Sequence, residues 1–274
     1  MSLPVKIAVI ALCAYAAILL AAYLGQRRLM YFPDPERVQP AEEDLPGVSE
    51  RVLKTPDGER LVAWYGPAKA GKPTLLYFHG NAGGLANRAP RIQRFMDEGW
   101  GVYMLAYRSY AGSTGSPSET ANVADARLAY GALVHEGVDP ASIVLYGESL
   151  GTGVAVRLAT ERPAAGLILD APYTSVVEIA AHGYPFLPVR LLLKDRYENS
   201  KYIAQVHMPL LILHGERDRV IPVAMGRALM TMANEPKRLA TFPNAGHSNI
   251  YVDGNPALAA VRKWIGELKR PPSR

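Results

Sequence analysis

The 274-residue chain has a single cysteine, Cys13, so no intrachain disulfide can form. In a chain this large that absence argues neither for nor against secretion. The six histidines do not show the spacing of an H-E-x-x-H motif, and no metal or other cofactor is expected. No dense Lys/Arg block occurs outside the termini, although the net charge is +5. Nucleic acid is therefore not an expected partner, and a negatively charged membrane surface accounts equally well for the basic balance. Repeats and low-complexity tracts are also missing. With 49% hydrophobic and 20% charged residues, the chain is not of the disordered class and has ample length to bury a core.

One long apolar run is present. Residues 7–24, IAVIALCAYAAILLAAYL, carry no charge. As a helix they would span about 27 Å, close to the hydrocarbon thickness of a bilayer. Arg27 and Arg28 follow, and Tyr23, Tyr31 and Phe32 are placed for the headgroup level. The expectation is a single-pass transmembrane anchor over residues 1–25. A cleaved signal peptide is disfavoured because the only A-x-A, Ala14-Tyr15-Ala16, lies mid-run. A buried core helix is a third reading. Bulky Leu12 before Cys13 disfavours lipid attachment there. Arg27, Arg28 and Arg37 on one side, against Lys6 and the amino group on the other, lean weakly toward a cytoplasmic C-terminal domain. Residues 26–48, rich in Pro, Glu and Asp, read as a juxtamembrane linker.

From residue 49 to 274 the pattern is one domain. Strands are predicted at 51–55, 61–64, 74–78, 101–107, 143–146, 167–170, 210–214 and 239–242. Helices are predicted at 85–98, 119–136, 150–160, 223–233 and 256–268. Such alternation predicts an α/β fold, a mostly parallel sheet with helices on both faces. Reactive loops then lie at the C-terminal ends of the strands.

The polar clusters fall there. Ser149 lies in GESLG, between the strand IVLY and an apolar helix. The pentapeptide alone is weak, and Ser149 would also serve as a helix N-cap. Between strand and helix, however, Gly147 and Gly151 permit a sharp turn with an exposed, strained serine. His247, in a loop after the last strand, is a suitable base near neutral pH. Asp218, four residues past a strand end, is a suitable acid to orient it; Glu216 and Asp170 are rivals, and a solvated charge beside Arg217 and Arg219 is the alternative. The Gly-rich loop after the third strand, YFHGNAGG, predicts an oxyanion hole built from the backbone amides of Leu150 and Asn81, with Ala82 as second choice. No G-K-[ST] follows it, which excludes a phosphate-binding P-loop. His79 is expected to hold this loop rather than to move protons.

Together, HGNAGG (79–84), YRSYAGSTGSPSE (107–119), GESLG (147–151), HGERDRVIP (214–222) and GHS (246–248) resemble the α/β-hydrolase superfamily. The resemblance covers residues 50–268 and is nearest to single-pass membrane-anchored α/β-hydrolase domain-containing serine hydrolases. It implies Ser149 as nucleophile, Asp218 as acid and His247 as base. Ser109 and Ala111 stand where that family usually has glycines. The subgroup includes esterases, lysophospholipases and protein depalmitoylases. The expected activity is cleavage of carboxylic esters or thioesters of small-molecule or lipid acyl substrates. A membrane-tethered serine peptidase and a non-catalytic scaffold on the same fold are the alternatives. Residues 171–208 are longer than an ordinary connection and rich in Tyr, Phe, Leu and Pro, which predicts an apolar lid over Ser149.

Overall fold

A computed structural model describes residues 1–252 and 256–268. The expected domain end at residue 274 lies outside them. Helix α1, Leu3–Met30, has none of its residues buried. The body begins with the antiparallel hairpin β1, Ser49–Lys54, and β2, Arg60–Gly66. Then follow β3 (Thr74–Phe78), α2 (Ala89–Asp97), β4 (Gly101–Leu105), α3 (Glu119–His135), β5 (Ile143–Glu148), α4 (Gly151–Ala159) and β6 (Gly166–Asp170). The segment predicted as a lid carries α5 (Val176–Gly183) and the short helices α6 (Val189–Leu192) and α7 (Asn199–Tyr202). The chain closes with β7 (Leu210–Gly215), α8 (Val223–Met232), β8 (Lys237–Phe242) and α9 (Pro256–Glu267).

The eight strands form one sheet in the order β8-β7-β6-β5-β3-β4-β2-β1, parallel from β8 to β4 and antiparallel at the β4-β2-β1 edge. Every position of β3, β4, β6 and β7 is buried. Each is apolar along most of its length, which only a sheet covered on both faces accommodates. Helix α3 starts at Ser118, whose side chain accepts from the Ala121 amide as an N-cap. Arg108, just past β4, ties three parts together: it pairs bidentately with Asp125 of α3 and with Asp57 in the β1–β2 turn.

The N-terminal boundaries differ from the sequence reading. The helix continues past residue 25 to Met30, because Gln26, Arg27, Arg28, Leu29 and Met30 are all good helix formers. Residues 31–48 are docked rather than a loose linker. Tyr31 and Leu45 are buried, and Phe32–Pro33 pair in parallel with Ala82–Gly83. A 3-10 turn, Ala86–Arg88, takes the place of the first residues of the helix predicted at 85–98, so α2 begins at Ala89.

At the two positions where the resembling family usually has glycines, the backbone is left-handed although the residues are not glycine. Ser109 has φ 70° and Ala111 has φ 48°. Hydrogen bonds hold the strained segment: Ser109 Oγ donates to the Gly115 carbonyl at 2.6 Å, and the Ala111 amide to the Asp34 carbonyl at 2.8 Å.

Candidate active site

Strand β5 delivers the chain directly into Ser149, which sits at φ 50°. The flanking glycines are required by contact. A Cβ on Gly151 would stand 2.1 Å from the Phe78 carbonyl oxygen, and one on Gly147 2.6 Å from the Gly151 oxygen. Strand, turn and helix therefore approach too closely for any side chain. The turn is pinned by the Ser149 amide donating to Asp170 O at 2.8 Å and by Thr152 Oγ1 donating to Ser149 O at 2.7 Å. Its hydroxyl is left facing a cavity.

Two loops bring the other groups to it. The loop after β7 carries Asp218 and the loop after β8 carries His247. They are packed backbone to backbone: a Cβ on Gly215 would lie 2.4 Å from Gly246 O, and the Arg217 amide donates to Ala245 O at 2.9 Å. In that setting His247 Nδ1 donates to Asp218 Oδ2 at 2.7 Å, and Nε2 lies 3.0 Å from Ser149 Oγ, placed to accept its proton. The other carboxylate oxygen of Asp218 accepts from the amides of Val220 and Ile221, both at 2.8 Å. Burial pushes Asp218 upward, but the hydrogen bonds from His214, His247 and the Ile221 amide outweigh it and hold the group well below the usual carboxylate range. For His247, burial acts to lower the pKa. The Asp218 bond and charge, with Asp170 and Glu148 behind, overcome it and raise the imidazole above its ordinary value.

The two rivals of Asp218 are elsewhere. Glu216 accepts from Arg227 and Thr241 on the surface. Asp170 is buried behind the turn, where Arg91 reaches it at 3.1 Å and Tyr146 at 3.0 Å. Burial pushes it up to about 6, with nearby Glu148 adding to the effect and Arg91 opposing it. Asp170 belongs to a buried polar layer that periodicity had not singled out. Tyr77 donates to Glu148 at 2.8 Å and stacks on Tyr146 at 4.5 Å between centroids. Arg88 and Arg91 lie 3.4 and 3.6 Å from Glu148 and hold it well below the usual range, although burial alone would raise it. The signal was present in the pairing: Tyr146 and Glu148 alternate onto one face, and Tyr146 is in register with Tyr77.

Asn81 and Leu150 both border the cavity beside Ser149. Among the described residues, neither amide N–H has an acceptor. The Asn81 peptide is fixed on its other side, where its carbonyl accepts from Tyr110 Oη at 2.6 Å and from the Phe32 amide at 2.9 Å. Its side chain donates to Met30 O at 2.8 Å, satisfying a carbonyl at the end of α1. His79 is fully buried; its Nδ1 donates to Gly80 O at 2.7 Å and its Nε2 accepts from the Tyr107 amide at 3.3 Å. Burial, with Arg88 nearby, pushes it down to about 3, so it is neutral and serves to hold the loop.

The cavity above Ser149 measures about 470 Å³. One wall is the lid, through Val176, Ile179 and Leu187. The opposite wall is the end of α1, through Ala22, Leu29 and Met30. That second wall was not legible in the apolar run, whose length and hydropathy look the same whether or not it borders a site.

Residues 102–249 match the family model described as an alpha/beta hydrolase domain, and the chain belongs to that family as a hydrolase of the α/β type. The uncharacterized protein Rv2307c of Mycobacterium tuberculosis is 41% identical over 97% of this chain and 95% of its own length. The lysophosphatidylserine lipase ABHD12 of Danio rerio is 29% identical, over 77% of this chain and 59% of its own. Among solved structures, the Pyrococcus furiosus esterase Pf2001 superposes with a TM-score of 0.71 at 19% identity, covering 87% of this chain and 97% of that one.

Proposed function

We propose that the protein is a serine hydrolase that cleaves carboxylic esters or thioesters of acyl substrates through Ser149, His247 and Asp218. The observation that carries this reading is the continuous chain of hydrogen bonds from Ser149 Oγ through the imidazole to Asp218, at the foot of an apolar cavity. His247 takes the Ser149 proton as Oγ attacks the carbonyl carbon. The oxygen of the tetrahedral intermediate is met by the amides of Leu150 and Asn81. The imidazolium, steadied by Asp218, returns the proton to the leaving alcohol or thiol. Water then enters, His247 takes its proton, and the acyl-enzyme is hydrolysed.

Lipid substrates are favoured by the lid and by α1, which is long and apolar enough to cross a membrane. We read α1 as a single-pass anchor, with the charge balance leaning toward a cytoplasmic catalytic body. A cavity of about 470 Å³ suits one chain. By its name, the zebrafish relative acts on a lysophospholipid.

The test is labelling of the full-length, detergent-solubilised protein with a fluorophosphonate, beside Ser149→Ala. Labelling that vanishes in the variant, followed by ester turnover, is expected. A folded protein that takes no probe, with or without added lipid, would refute the assignment.

A further inference from the structure

The lid runs alongside α1 and is fastened to it at two heights. At the lower end, Arg27 pairs bidentately with Asp195 at 2.8 and 3.0 Å, and Gln26 accepts from the Lys194 amide at 2.7 Å. At the upper end, Tyr15 Oη donates to the Phe186 carbonyl at 2.8 Å. Tyr15 and Arg27 are twelve residues apart in the helix, about 18 Å of rise. If Arg27 marks the headgroup level, Phe186 reaches well into the apolar half of the span.

The side chains agree with that depth. Phe186 is 63% exposed and Leu191 85% exposed, more than any other large apolar side chain described after α1. They continue the bare apolar surface of α1. At the lower end the exposed groups are cationic: Arg27 and Lys194, whose ammonium sits 4.0 Å above the Tyr23 ring. An apolar tip above a basic and aromatic belt is the arrangement that matches a leaflet with anionic headgroups. The cavity lies between these two elements, with Ser149, Asn81 and Leu150 at its polar end.

We infer that the lid tip, residues 184–187, is immersed in the leaflet that α1 enters, with the exposed Arg190–Glu178 pair staying at the headgroup level, and that a single acyl chain passes sideways from that leaflet into the gap between helix and lid. Helix α1 is then part of the substrate site, with Ala22, Leu29 and Met30 as its chain-length-determining residues. The acyl occupant rests on the hydrolase reading above; the depth of the lid does not.

Two measurements on the full chain in phosphatidylcholine–phosphatidylglycerol bilayers test this. The first is hydrolysis of four-carbon and twelve-carbon esters by Ala22→Trp, with Ile10→Trp, exposed on α1 and outside the cavity, as control. Each methylene given an apolar wall is worth about fourfold. Ala22→Trp is therefore expected to lower the ratio of long-chain to short-chain kcat/KM by roughly tenfold or more, and Ile10→Trp to leave it unchanged. An unchanged ratio in Ala22→Trp overturns the wall. The second places a nitroxide on Phe186→Cys in a Cys13→Ser background, which the single native cysteine makes specific. Greater relaxation by oxygen than by an aqueous nickel complex is expected, and the reverse overturns immersion. If the unmodified protein turns over neither ester and takes no fluorophosphonate, the hydrolase reading fails and the acyl occupant falls with it; the nitroxide still reports the lid's depth.

Discussion

Replacing Gly151 with alanine adds one methyl group at the tightest point of the turn that holds Ser149. Its Cβ would stand 2.1 Å from Phe78 O, 2.6 Å from Phe78 C and 2.8 Å from His79 O. The first distance falls short of ordinary contact by about 1.3 Å. All three atoms are backbone of β3 and the loop after it, so no side chain can swing aside. Either α4 or the start of the oxyanion loop must move. Overpacking of a well-packed core costs about 1–3 kcal/mol, and the rigid neighbours place this site at the upper end. For a body of this size, about 3 kcal/mol corresponds to a fall in Tm of roughly 6–12 °C. The kinetic effect is larger, because a displacement of about 1 Å at a reacting group costs on the order of 100-fold in rate. Differential scanning calorimetry and the rate of fluorophosphonate labelling measure the two effects separately. A Gly151→Ala protein that melts and labels like the wild type would show that the helix–strand approach is looser than described, and the account of the turn would fail.

The pH profile of kcat/KM should rise through a midpoint above 6.5, the ordinary histidine value, because His247 must be neutral to accept the proton and Asp218 raises its pKa. Asp218→Asn should cut kcat by about 10³–10⁴-fold and move the residual midpoint downward. Asp170→Asn should leave far more activity, and the opposite ranking of the two variants would transfer the acid role to Asp170. Ala111→Gly should relieve a left-handed alanine and raise stability by about 0.5–1 kcal/mol after the entropy of glycine is counted, as read from urea denaturation midpoints.

Much of the site could be read from the chain because it is local. Gly147, Ser149 and Gly151 lie within one turn, and their roles follow from a strand on one side and a helix on the other. Asp218 and His247 could be nominated by their places after strands. That they meet depends on Gly215 lying against Gly246, a contact between loops that no short motif records. Periodicity reports whether a face is apolar and is silent on what a buried polar group touches, so the layer of Tyr77, Arg91, Tyr146, Glu148 and Asp170 went unseen. The helix–lid contacts are least legible. Gln26, Arg27 and Tyr31 find partners more than 160 residues away, and composition alone made residues 26–48 look like a tether.

Were residues 26–48 a flexible tether, their reach would be about 26 Å and the body would tumble beside the bilayer. Instead Tyr31 is buried and Phe32–Pro33 are paired to Ala82–Gly83, in the Gly-rich loop beside Ser149. In a bilayer, Ser149 would then ride at one fixed height and orientation. Its encounters with substrate become a two-dimensional search by lateral diffusion. Turnover should accordingly follow the mole fraction of substrate in the membrane, so that adding inert lipid at constant total substrate slows the reaction by surface dilution.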